Sequence, residues 1–284
     1  MITDVHHVGI AVSDMAAALR FYSEALALPV VKEGEAPARG ARVALIAVGG
    51  SYLELVQPVT VDSPFARYIE ERGEGLHHVA LRTDDVESLV ASLREWDVPL
   101  EDAQPREGFT GRLSFLAPEA MDGALLEVVQ PSPELSGDNA PEGAVTRIDH
   151  VVLRLPDVEE ACRRMLYYFG VETKRTFERG ETRFSFLRPG DVVLELIGPS
   201  TPADAGLGTG PEEAPAEPRA GSIAGLAFEC AGIDALAADL AAKGYPIGEP
   251  HPALQGGRIV SVHADGACGV PVAFIDFTDS PRSG

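Results

Sequence analysis

Apolar and polar residues alternate with a period of two through VHHVGIAV (5–12). They then recur at helical spacing through SDMAAALRFYSEAL (13–26). The same succession returns three times. LHHVALRT (76–83) leads into DDVESLVASLREWDV (84–98), IDHVVLRL (148–155) into PDVEEACRRMLYYFGV (156–171), and SIAGLAFEC (222–230) into AGIDALAADLAAKGYPI (231–247). A Ser or Asp ahead of the apolar stripe supplies a helix N-cap in the first three copies. Further β-type runs follow each helix and close in YLELVQP (52–58), ALLEVVQP (124–131), VVLELIGP (192–199) and VPVAFIDF (270–277). His7, His78 and His150 mark the period, 71 and 72 positions apart, and Gly225 stands where a fourth histidine would fall. The pattern predicts an α+β protein of four βαβββ modules paired into two domains with curved mixed sheets. The expected boundaries are 1–131 and 147–284, joined by a linker over 132–146 within the Pro/Gly/Asp-rich stretch around 130–144. A second polar stretch, 199–222, reads as a long loop inside the second domain.

Strand alternation sorts the polar residues onto faces. Val8, Ile10 and Val12 share a face suited to packing beneath a helix, while His7 lies opposite with Val5, Gly9 and Ala11. Val79 and Leu81 oppose His78 and Ala80. Leu53 and Leu55 oppose Glu54, and Leu126 and Val128 oppose Glu127. His6 and His77 are placed by the same alternation on the layer side or its rim. Two facing modules would bring His7, Glu54, His78 and Glu127 to one point. Two imidazoles and two carboxylates suit a divalent cation such as Co, Ni, Zn, Mn or Fe(II), which also offsets the cost of burying the acids. Read singly, each of these residues has an ordinary explanation as a core histidine or a solvated glutamate. The agreement of the four in type, face and register carries the signal.

Composition narrows the function classes. Of 284 residues, 45% are hydrophobic and 24% charged, the balance of a folded globular protein. A formal net charge of −21 argues against a nucleic-acid partner, which needs a basic face. No run of about 18 apolar residues is present, so no membrane partner is expected. The start of the chain lacks the pattern of a secretory leader. Cys162, Cys230 and Cys268 are scattered and form no C-x-x-C pair. A reducing, cytoplasmic location is the expectation.

The segments HHVGIAVSDMAAALRFY (6–22), YLELVQP followed by DSPFARYIEERGEGLHHVAL (62–81), and GFTGRLSFLAPEAMDG (108–123) running into ALLEVVQP together resemble the vicinal oxygen chelate superfamily. That superfamily includes glyoxalase I, methylmalonyl-CoA epimerase, extradiol dioxygenases and bleomycin-resistance proteins. The resemblance spans the chain, and 1–131 is most similar to methylmalonyl-CoA epimerase. It implies that His7, Glu54, His78 and Glu127 hold a divalent metal, with Glu127 and Glu54 also serving as acid/base groups. The implied reaction is isomerisation by proton transfer at C2 of a 2-substituted acyl thioester or related acid, through a metal-stabilised enolate. The implied partner is a small-molecule substrate, an acyl-CoA foremost. Lys32, Arg39, Arg42, Arg106 and Arg112 are the candidate cations for its phosphates. A glyoxalase I-like lyase and a non-catalytic binding protein of the bleomycin-resistance type are the alternatives.

Two departures from the resemblance stand out. Some epimerases carry an acid within the strand matching RVALIAV (42–48), and the corresponding residue here is read as Ala44. The chain also continues into a second domain, where His150 and Glu195 persist but Gly225 and Ala273 replace the other two donors. That domain is expected to hold no tight metal. It would make the chain a monomeric pseudo-dimer, with a homodimer the other reading. His251 and His263 are expected at the surface.

Overall fold

A computed structural model describes residues 1–135, 143–200, 221–253 and 256–278. Parts of the expected linker and most of the 199–222 stretch lie outside the described residues.

The first half contains β1 (Ile2–Ala11), α1 (Met15–Leu19, continued as a π-helical turn over Arg20–Ala25), β2 (Val30–Ala36), β3 (Ala41–Val48) and β4 (Ser51–Pro58). It continues through α2 (Pro64–Arg72), β5 (Gly75–Thr83), α3 (Val86–Glu95), β6 (Arg106–Glu107), β7 (Gly111–Phe115) and β8 (Leu126–Pro131). These strands form one sheet in the order β2-β3-β4-β1-β5-β8-β7-β6. The second half repeats the plan with β9 (Val145–Arg154), α4 (Val158–Phe169), β10 (Thr173–Arg179), β11 (Thr182–Leu187) and β12 (Val193–Pro199). It closes with β13 (Ser222–Cys230), α5 (Ile233–Ala242), β14 (His251–Pro252), β15 (Arg258–Val262) and β16 (Val272–Asp276). Its sheet order, β10-β11-β12-β9-β13-β16-β15-β14, matches the first strand for strand.

Helix starts follow the capping expectation. Asp14 accepts from the Ala17 amide at 3.1 Å, Asp85 from Ser88 at 2.9 Å and Asp157 from Glu160 at 2.9 Å. The fourth module has Gly232 at this position, and Asp276 of β16 substitutes by accepting from the Gly232 amide at 2.8 Å and that of Ile233 at 3.1 Å. Helix α2, between β4 and β5, lies outside the repeated sequence pattern. It is capped by Ser63 with Pro64 in its first turn.

One apolar cluster runs beneath the helices of both halves, from Val8, Leu53, Val79 and Leu126 to Val151, Leu194, Phe228 and Phe274. Each sheet's other face forms a cup. In the first domain Phe65 of α2 packs onto Ala11, Val43 and Val56. Leu135, just past β8, packs onto Leu45, Ala47 and Tyr52. The start of the expected linker therefore belongs to the first domain's cup. In the second domain Phe177, Phe184, Phe186, Val152 and Ile197 are only half-buried.

Candidate metal centre

His7 and His78 lie on the two central antiparallel strands, with His7 opposite Ala80 and Gly9 opposite His78. The parallel neighbours place Glu54 beside Gly9 and Glu127 beside Ala80. The two modules thus contribute one His and one Glu each in equivalent register. Gly9 is the seat of the His78 ring, because a Cβ there would meet the ring at 2.0 Å.

All four side chains are buried and converge. The Nε2 atoms of His7 and His78 are 3.0 Å apart. Glu54 Oε2 lies 3.7 Å from His7 Nε2 and 3.5 Å from His78 Nε2. Glu127 Oε1 lies 3.8 Å from His7 Nε2, and its Oε2 3.9 Å from His78 Nε2. Donor atoms of His7, Glu54 and His78 all fall within 4.8 Å of one another. Glu127 Oε1 is buried without a hydrogen-bond partner. Such an orphan costs about 1–3 kcal/mol, and coordination removes that cost.

The electrostatics agree with a cation. Burial, then the neighbouring imidazoles, hold His7 well below the usual histidine range. For His78, burial is followed by His77 and the positive charge of Arg39. Both rings are therefore neutral, with lone pairs free for ligation. Burial raises Glu54 to about 7, partly offset by Arg39. Burial and then the charge of Glu54 raise Glu127 well above the carboxylate range, against the pull of Arg106 and Arg39. Without a cation the cup favours uncharged groups. A divalent ion that displaces both carboxyl protons leaves it neutral overall, so the donor set fits such an ion.

Alternation misplaces several residues. His6 and His77 lie on the cup side, not the layer side. The pairing of β1 with β5 steps from Val5 to His7 and from His78 to Leu76, leaving His6 and His77 as the extra residues of two β-bulges. The first bulge also reverses the parity ahead of it, which puts Val5 in the apolar layer rather than on the face of His7. The His6 ring packs near Tyr52, and the His77 ring near Phe65 and Tyr68. Ala44 faces the layer core. The cup-facing residues of β3 are Val43, Leu45 and Ala47, with Leu45 opposite Glu54. None is an acid, so the missing carboxylate is real although Ala44 does not mark it.

The cations divide in two. Arg39 and Arg106 lie with their guanidinium carbons 5.3 and 5.8 Å from the centre of the Phe115 ring. That ring is itself 5.2 Å from His78. Lys32 reaches the cup rim, donating to the Phe109 carbonyl at 2.8 Å. Arg112 instead pairs with Glu87 and Glu107 at an exposed position, and Arg42 is exposed on the face opposite Val43. Neither is brought to the cup. Arg67 and Arg72 of α2, which are not among the candidate cations read from the sequence, line a cavity with His77 and Ser222 at the seam between the two halves.

In the second domain His150 Nε2 lies 3.3 Å from Glu195 Oε2. Gly225 and Ala273 take the His78 and Glu127 positions, since Ala273 pairs with Ala227, two residues beyond Gly225. His251 and His263 are exposed.

A family model described as glyoxalase/bleomycin resistance protein/dioxygenase superfamily matches residues 6–115 and 149–261. The uncharacterized protein YqjC of Bacillus subtilis is 33% identical over 126 residues, 44% of this chain and 90% of its own length. The mitochondrial methylmalonyl-CoA epimerase of Bos taurus is 30% identical over 128 residues, covering 44% of this chain and 73% of the relative. Among solved structures, a mutant 4-hydroxymandelate synthase from Streptomyces coelicolor superposes with a TM-score of 0.70 at 16% identity, covering 100% of this chain and 94% of that one. That likeness shows a shared two-domain fold and nothing about activity. On the two matched segments, one per domain, the chain belongs to the glyoxalase/bleomycin resistance protein/dioxygenase superfamily.

Proposed function

We propose that the protein is a metal-dependent isomerase that moves a proton at C2 of a 2-substituted acyl thioester, in the manner of a methylmalonyl-CoA epimerase. His7, Glu54, His78 and Glu127 would hold the ion. The observation that carries this reading is the convergence of two neutral imidazoles and two carboxyl groups, one of whose oxygens has no other partner. The epimerase relative at 30% identity supports the choice of reaction.

When bound, a divalent ion would supply Lewis-acid polarisation of a carbonyl oxygen. The protein's own contribution is placement and proton handling. Glu127 would exchange the C2 proton through Oε1, the carboxyl oxygen that has no hydrogen-bond partner among the described residues. Glu54 would assist from β4, across the cup and separated from β8 by two strands. Phe109, Phe115 and Leu135 limit water around the cup. Arg39 and Arg106 supply the positive charge at its mouth for an anionic substrate, against an acidic chain.

Metal content of the purified protein, followed by incubation with methylmalonyl-CoA in deuterated water, tests this. Deuterium at C2 together with a bound divalent ion is the expected result. A metal-loaded protein that leaves C2 unlabelled would end the epimerase assignment. Turnover of a glutathione hemithioacetal instead would establish the lyase.

A further inference from the structure

We propose that His6 and His77 are positioning residues, set on paired β-bulges, that fix which ring nitrogen of His7 and His78 faces the cation. The inference rests on reading the cup as a metal centre. The Nδ1 atoms of His6 and His7 are 2.8 Å apart, and those of His77 and His78 are 3.0 Å apart. Each gap is a hydrogen bond that needs one proton. Ligation through Nε2 of His7 and His78 leaves their proton on Nδ1, which then donates to the backing imidazole. The backing ring accepts on Nδ1 and carries its own proton on Nε2. The partner of one nitrogen thereby decides what the other can do.

Adjacent residues of a regular strand point to opposite faces and could not make this contact. The extra residue at positions 6 and 77 turns the backing imidazole to the same side as its neighbour. The third module holds an independent instance. There the register steps from His150 to Ile148, leaving Asp149 as the extra residue, and its Oδ2 lies 2.8 Å from His150 Nδ1. A carboxylate thus performs the acceptor role of His6 at the same place. In the fourth module the extra residue is Ala224, beside Gly225, so backing group and imidazole are absent together.

The test uses full-length protein labelled with 15N-histidine, with Zn(II) as the probe. Long-range proton–nitrogen correlation of the Zn(II)-loaded protein should show His7 and His78 protonated on Nδ1 and His6 and His77 on Nε2. His6→Phe and His77→Phe should each weaken Zn(II) affinity by about 10–100-fold in chelator competition. His6→Asp, which copies the acceptor that Asp149 provides, should restore most of it. Zn(II)-loaded His7 or His78 protonated on Nε2 overturns the proposal, as do phenylalanine variants that bind within about twofold of the parent. If either phenylalanine variant fails to fold, the tautomers of the parent decide. A parent that binds no Zn(II) removes the metal centre itself, a different result from a parent that binds alongside unaffected variants.

Discussion

The two cups share a strand order, bulges at equivalent places and a His–Glu pair, yet only the first gathers four donors among the described residues. The second has lost more than two ligands. Val152 occupies the place of Gly9, opposite Gly225, as Gly9 lies opposite His78. Loss of the imidazole and loss of its seat go together. In the first cup Phe65 and Leu135 are buried, whereas Phe177, Phe184 and Phe186 of the second are half-buried. A shared backbone frame is therefore not enough for a metal centre; the small residue across from each bulky donor matters as much as the donor.

The strongest way to break this comparison is to rebuild the second cup. Val152→Gly with Gly225→His and Ala273→Glu should raise Zn(II) binding from one to two equivalents per chain, read by calorimetry. The pair Gly225→His and Ala273→Glu with Val152 retained should stay near one, because the β-branched side chain blocks the ring. In the first cup, His78→Ala should weaken metal affinity by at least about 100-fold, more than loss of an outer partner. Gly9→Ala should fall short of that, since the displaced ring can still relax; strain of about 1–3 kcal/mol is expected in the melting of the metal-free variant.

The third contrast is with pH. Glu54 has a folded-state value of about 7, above that of an unfolded glutamate, so between those two values the folded metal-free protein binds the extra proton. Metal must expel that proton, so affinity should fall as pH drops through about 7, by about tenfold per unit per proton released. For the metal-free protein the same shift means that Glu54's contribution to stability is present at low pH and lost as pH rises toward 7. Titrating Zn(II) affinity from pH 5.5 to 8 would show the slope, and a flat profile would refute it. The smallest effect is expected at Arg112→Ala. Its ion pairs with Glu87 and Glu107 are exposed and screened by solvent, so kcat/KM should stay within about twofold.

The modular plan is legible because period-two strands and 3.6-period helices repeat four times with acidic caps between them. The quartet is legible because each donor and the residues that follow it on its strand alternate cleanly. Legibility fails wherever the count slips by one. A bulge adds a residue without altering composition, so alternation sorts Val5, His6 and His77 onto the wrong faces. Ala44 misleads because RVALIAV is apolar on both faces and carries no alternation to read. Helix α2 has a clear start at Ser63–Pro64, but it lies outside the repeat that organises everything else. Arg42 and Arg112 look like Arg39 and Arg106 in the sequence; only the fold decides which guanidinium reaches Phe115.

The apolar layer that runs unbroken beneath both sheets has a consequence for how the chain comes apart. The Tyr22 hydroxyl, buried and bonded to the Ala267 carbonyl at 2.8 Å, ties the first helical segment to the far half of the chain. Heat should therefore melt the two halves in one cooperative step. An ion gripped in the N-terminal half would protect the C-terminal half as well, by about 2.7 kcal/mol at a hundredfold excess over its dissociation constant.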